Sequence, residues 1–172
     1  MTVRIGVISD THIPVRAPRL PPEVLEIFQG VDAILHAGDL LEGSVLDELA
    51  RLARTYAVLG NNDDRLVGAL PECRRLDLEG VAVGMIHDSG LSRGRRERMR
   101  LAFAGCRVVV FGHSHQPLIE DDGDLLLLNP GSACDPRRAR IPSVALLYIR
   151  DGDVTAKLVP LAAGEPGWRR QL

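Results

Sequence analysis

Residues 3–12 read VRIGVISDTH. The first seven form a short run rich in β-branched residues, the pattern of a strand buried on both faces. The run stops at Asp10 and His12, so an apolar strand delivers a carboxylate and an imidazole to its carboxyl end. The same transition recurs along the chain. DAILHAGD ends in Gly38 and Asp39, and TYAVLG leads into Gly60, Asn61 and Asn62. VAVGMI runs into His87 and Asp88, and RVVVF into Gly112, His113 and His115. Ligand sites of α/β sheets lie beyond the carboxyl ends of the strands. Five such endings predict one site.

Helical segments separate the first three strands. PPEVLEIFQG, from Pro21, opens on proline, carries apolar Val24, Leu25 and Phe28, and stops at Gly30. GSVLDELARLA, from Gly43, places Val45, Leu46, Leu49 and Leu52 on one face. The second half reads as strand-dense, at 72–78, 80–87, 107–111, 117–121, 125–129, 143–150 and 153–160, with one helix over 94–104. EDDGDL and RDGDV read as hairpin turns, since Asp-Gly favours the left-handed geometry such turns need. A β-α-β-α-β opening followed by mostly antiparallel strands predicts two packed sheets with helices outside. The expectation is a single domain over 1–172, with 161–172, which holds the only Trp, Trp168, as a loosely ordered tail.

Composition excludes several function classes. A formal charge of −2 supplies neither an extended nucleic-acid surface nor a basic stripe for a membrane. The N-terminus turns polar too early for a secretory signal, and no apolar run approaches membrane-spanning length, so the expected location is cytoplasmic. Cys73, Cys106 and Cys134 form no CxxC pair and read as reduced small hydrophobes. A homo-oligomer stays open.

The side chains at the five endings decide the chemistry. Imidazole with carboxylate suits Mn, Fe, Co, Ni or Zn, whereas Mg and Ca favour oxygen cages. Asp10, His12, Asp39, Asn61, His87, His113 and His115 are too many donors for one ion. They suit two divalent ions bridged by a carboxylate and a hydroxide. Two carboxylates against two such ions leave positive charge that attracts a phosphate, and no Ser or Cys nucleophile is required.

SDTH, HAGD, GNND, IHD, GHSH and NPGS, in this order from Ile5 to about Tyr148, resemble the calcineurin-like metallophosphoesterases, in particular their small bacterial and archaeal phosphodiesterase branch. The resemblance implies a four-layer α/β/β/α sandwich of two mixed β-sheets flanked by helices. It implies a hydrolase whose metal-bridging hydroxide attacks a small-molecule or nucleotide phosphoester, with manganese the favoured metal. Asp10, His12 and His115 would hold one ion, Asn61, His87 and His113 the other, and Asp39 would bridge them. Asp39, Asn61, His87 and Asn62 would be catalytic, and Asn61, Asn62 and Arg16 would bind phosphate.

Two departures from the family pattern stand out. Many relatives read GNHD or GNHE, with the third-position His donating a proton to the leaving group. Here that position is Asn62, which donates a hydrogen bond but shuttles no proton at neutral pH. This weighs toward diesters over monoesters. Asp88-Ser89-Gly90 follows His87 where relatives often have a Gly-His pair, which alters the pocket wall. The alternatives are a phosphomonoesterase of the same superfamily, or a non-catalytic protein-binding scaffold such as the retromer subunit that shares the fold. His36 is expected to support or pack rather than to ligate. NPGS, 129–132, is expected to form a turn buttressing the site. SRGRRERMR, 92–100, is expected to be an exposed helix face with one or two site-facing arginines.

Overall fold

The structure, a computed structural model, describes residues 1–161. One five-stranded sheet contains β1 (Thr2–Ile8), β2 (Ala33–His36), β3 (Arg54–Ala57), β9 (Ser143–Arg150) and β10 (Asp153–Pro160), in the order β10-β9-β1-β2-β3. The other contains β4 (Cys73–Leu78), β5 (Val81–Ile86), β6 (Val108–Val110), β7 (Leu118–Asp121) and β8 (Leu126–Asn129), in the order β4-β5-β6-β8-β7. Strands β1, β2 and β3 are mutually parallel, as are β5, β6 and β8. The second sheet therefore differs from the expected antiparallel arrangement at its centre. VVVF, 108–111, and LLLL, 125–128, are apolar throughout, as strands covered on both faces must be. EDDGDL and RDGDV do close the β7–β8 and β9–β10 hairpins.

Alternation along the strands builds the four layers. Ile5, Val7, Leu35, Ala145 and Leu147 meet Val83, Met85, Val108, Val110 and Leu128 between the sheets. The opposite face of the first sheet, with Ile8, Ile34 and Val144, packs on Val24 of α1 (Pro22–Ile27), on Phe28 at its C-terminal cap and on Leu49 of α2 (Ser44–Ala50). Val109 and Leu127 of the second sheet pack on Met99 and Phe103, from α3 (Arg95–Ala102) and its C-terminal cap. The fold is thus a four-layer α/β/β/α sandwich.

Three expectations need correction. Cys73 is exposed and Cys134 half-buried, so only Cys106 behaves as a buried hydrophobe. Leu161, counted with the tail, is buried, and its N–H donates to the Pro142 carbonyl (2.8 Å). The rest of that tail, with Trp168, lies outside the described residues. The arginines around α3 find partners within the protein. Arg98 donates to the carbonyls of Ser89, Leu91 and Arg93, Arg96 donates to that of Leu125, and Arg95 lies over the Phe111 ring.

Candidate metal centre

The carboxyl ends of β1, β2 and β3 stand level because the strands pair in register, Ile8 opposite His36 and His36 opposite Ala57. The ladder continues past the strands. Asp10 N–H donates to the Gly38 carbonyl (3.0 Å) and His12 N–H to that of Asp39 (3.0 Å). From the second sheet, Gly112 N–H reaches the His87 carbonyl (2.9 Å), and His113 N–H reaches Asp10 Oδ2 (3.1 Å), joining the sheets at the site.

Asp10, His12, Asp39, His113 and His115 all have φ between 47° and 64°. A non-glycine residue in that region costs roughly 1–3 kcal/mol and persists only where its surroundings over-determine it. The cross-strand bonds above supply that constraint. Gly112 is not among the positive-φ positions, whereas its neighbours His113 and His115 are. Its lack of a side chain serves close approach: a Cβ there would lie 2.0 Å from Ser9 Oγ and 2.6 Å from Asp10 Oδ2.

Side chains of five of the seven expected donors, Asp10, His12, Asp39, His87 and His115, are linked by contacts of 4.0 Å or less, and Asn61 joins His87 to His113. His12 Nε2 and His115 Nε2 are 3.3 Å apart, and His115 Nε2 is 3.3 Å from Asp10 Oδ1. Asp39 Oδ2 lies 3.4 Å from His12 Nε2 and 3.5 Å from His87 Nε2, between the two halves of the site. Asn61 Oδ1 sits 3.0 Å from His87 Nε2 and 2.9 Å from His113 Nδ1. Two groups have ligand atoms all within 4.8 Å of one another: Asp10, His12 and His115, and Asp10, Asp39 and His87.

Hydrogen bonds behind the donors show what the cluster lacks. His87 Nδ1–H donates to the Ala37 carbonyl (2.7 Å), and His115 Nδ1–H to the Asp135 carbonyl. Each neutral ring therefore turns an unprotonated Nε2 toward carboxylate or amide oxygen, acceptor facing acceptor. Asp10 is fully buried, and its Oδ1 has no hydrogen-bond partner among the described residues. A buried carboxylate oxygen ringed by imidazole lone pairs requires a cation. The donor set fits a transition-metal ion.

Protonation behaves accordingly. Burial pushes His87 and His115 down, but the carboxylates of Asp39 and Asp10 outweigh it and raise both. At His12 burial wins over Asp39 and Asp10, and its pKa falls. Burial pushes Asp39 up, yet His87 in its protonated form and the Asn62 N–H donors hold it well below the usual carboxylate range. The site draws positive charge, which a metal ion would supply in place of protons.

The remaining expected residues fall around this cluster. Asn62 donates its backbone N–H to Asp39 Oδ1 (2.9 Å) and its side-chain amide to Oδ2 (2.7 Å). Arg16 stands at the rim, its Nε 3.5 Å from Asp135 Oδ2. His36 is fully buried. Its Nδ1 accepts the Gly38 N–H (3.2 Å), so Nε2–H faces Thr11 Oγ1 (3.2 Å), a supporting role. Asn129 Nδ2 donates to the Gly112 carbonyl (2.9 Å) and Ser132 Oγ to that of Asp10 (2.7 Å), so NPGS does buttress the site. A cavity of about 280 Å³ opens beside Asn62, between Pro14–Val15, Leu41–Glu42 and Asp64–Arg65.

Sequence reasoning missed two residues. Asp63 is buried and accepts N–H bonds from Asp39 (2.9 Å), Leu41 (2.8 Å) and Gly60 (2.7 Å), tying two ligand loops together. Its place as the last letter of GNND is the one signal in the sequence. Asp135 orients His115 through its backbone carbonyl, which no side-chain pattern encodes.

Such a sandwich, with carboxylates and imidazoles gathered at its strand ends, defines a class of candidate metal-binding proteins. The calcineurin-like phosphoesterase superfamily domain matches residues 3–152, and the chain belongs to that family. A probable metallophosphoesterase of Methanothermobacter thermautotrophicus is 41% identical over 161 residues, covering 92% of this chain and 93% of its own. A phosphodiesterase of Methanocaldococcus jannaschii is 27% identical over 157 residues, covering 84% of this chain and 92% of its own. The structure of vacuolar protein sorting 29 from Cryptosporidium parvum matches with a TM-score of 0.76 and 20% identity, over 93% of this chain and 98% of that one. That last likeness concerns the fold alone.

Proposed function

We propose that this chain is a dinuclear metal-dependent phosphodiesterase. Asp10, His12 and His115 hold one ion, Asn61, His87 and His113 the other, and Asp39 serves both. The observation that carries the reading is Asp10 Oδ1, buried and without a hydrogen-bond partner among the described residues, with imidazole nitrogens around it. Manganese or a neighbouring transition metal suits these mixed N/O donors. Such a pair of ions, when bound, supplies an ionised water as nucleophile and Lewis acidity toward the phosphoryl oxygens.

The chain's own residues then bind and orient. Asn62 gives its backbone N–H and one side-chain amide proton to Asp39, and its second amide proton, with the Asn61 amide, would donate to phosphoryl oxygens. Arg16, at the rim, offers its guanidinium to an anionic part of the substrate. The cavity beside Asn62 has room for an organic substituent, which a diester carries on both sides of phosphorus. Asn62 provides no transferable proton, so the leaving oxygen takes one from water or departs without it. A scaffold reading leaves the converging acceptors without a purpose, since protein binding needs no such set.

The test is metal content together with turnover of bis(p-nitrophenyl) phosphate and p-nitrophenyl phosphate, which share a leaving group. Two ions per chain and a higher kcat/KM on the diester are expected. One ion, or faster turnover of the monoester, would refute the dinuclear or the diesterase part respectively.

A further inference from the structure

The loop after β8 carries a charge arrangement of which the proposed reaction draws on Arg16 alone. The Asp135 side chain is 17% exposed, while those of Arg16 and Arg137 are 57% and 49% exposed. One oxygen, Asp135 Oδ2, receives both guanidiniums, Arg137 Nε at 3.2 Å and Arg16 Nε at 3.5 Å. The same oxygen lies 3.9 Å from His115 Nδ1, whose proton the Asp135 carbonyl accepts. Among the described residues the Nη atoms of both arginines have no hydrogen-bond partner, so two forks face outward with their donors unused. The loop is anchored: Asp135 N–H donates to Ser132 Oγ (2.8 Å), which itself holds the Asp10 carbonyl.

An ordinary surface ion pair is worth little and needs one cation per carboxylate. Here two cations share one, leaving an excess positive charge. Asp135 Oδ2, which carries both guanidiniums, lies 3.9 Å from His115 Nδ1, so the arginine pair stands against the metal centre. Guanidiniums set against a centre that itself gathers positive charge repel it, and an anion lying between them relieves that repulsion. Two forks supply four Nη groups, a match for the several oxygens of a phosphate rather than the two of a carboxylate.

We propose that Arg16 and Arg137, held side by side on Asp135, form a second anion subsite beside His12 and His115, and that the substrate is a phosphodiester whose retained alcohol bears a second phosphate. This rests on the diesterase reading for the reaction but not for the binding. Thymidine 5'-(p-nitrophenyl phosphate), with either a free 3'-hydroxyl or a 3'-phosphate, presents one leaving group with and without the second anion. Charge-assisted hydrogen bonds are roughly twice as strong as neutral ones. The metal-loaded enzyme is therefore expected to favour the 3'-phosphorylated diester in kcat/KM by tenfold or more, on the order of one such bond. Arg137→Gln and Arg16→Gln are each expected to cut that ratio by about tenfold.

A wild-type ratio near one overturns the subsite. So does an equal loss on both diesters in both variants, which would place the guanidiniums on the scissile phosphate. Calorimetry with thymidine 3',5'-bisphosphate and thymidine 5'-phosphate reads the same preference as a ratio of Kd values without turnover. If neither diester is hydrolysed but the binding ratio holds and falls in Arg137→Gln, the diesterase reading fails and the subsite stands. A binding ratio of one sinks the subsite alone.

Discussion

His36 sits in strand β2, three residues before Asp39, and its ring takes one tautomer because Nδ1 accepts the Gly38 N–H. Burial drives its pKa down to about 4, against the pull of the Asp63, Asp10 and Asp39 carboxylates. The folded value lies below the unfolded value near 6.5, so the unfolded chain binds more protons between those limits. Its contribution to stability is complete above pH 6.5 and is lost as pH falls toward 4, a loss on the order of 3 kcal/mol. His36→Gln keeps one donor and one acceptor but does not titrate. In chelator, urea midpoints of the wild type should fall between pH 7 and pH 5 by more than those of His36→Gln. Parallel slopes would show that another group governs the acid loss. The sequence marks His36 only by its place before a ligand. Its tautomer depends on a backbone amide that periodicity does not reveal.

Among elements, the site is a meeting of strand ends, and the loops after β1 and β6 approach closely there. A methyl group on residue 112 would lie 2.0 Å from Ser9 Oγ, whose hydroxyl donates to Asp10 Oδ2 (2.7 Å). Gly112→Ala must therefore displace Ser9 and Asp10 while leaving the buried strands intact. Loss of support behind a ligand typically lowers metal affinity about 10–100-fold. That loss, with an unchanged far-UV spectrum, is expected in a manganese titration of Gly112→Ala, and wild-type affinity would contradict the close-approach account. Every strand was legible to within a few residues, the central ones because each is an apolar run cut by turn residues, as in VVVFG and LLLLNP. The pairing was less legible. Whether β6 lies parallel to β5 and β8 depends on contacts between distant segments, and apolar runs read alike in either direction. Asp63 and Asp135 escaped for a related reason, since each acts through backbone groups of other loops.

Over the whole molecule, the two sheets are joined at one end by carboxylates and imidazoles that converge with too few protons, so metal binding should be coupled to stability. An ion present at about 100 times its Kd adds about 2.7 kcal/mol. For a chain of this size that raises Tm by on the order of 5–10 °C per site. The proposed sites should not release their ions together. Asp10, His12 and His115 are buried and include a carboxylate of their own. The other group relies on shared Asp39 and neutral Asn61, and its His113 side chain is 46% exposed. Fewer anionic donors and a solvent-facing ligand predict weaker binding and earlier loss. Rising chelator should lower Tm in two steps, with one ion per chain left after the first. His113→Ala should then bind one ion and lack the first step, whereas His12→Ala should lose the tightly held ion and with it most of the metal-dependent rise in Tm. Two retained ions in His113→Ala, or a single-step release in the wild type, would show that the two groups of ligands do not act as separate sites.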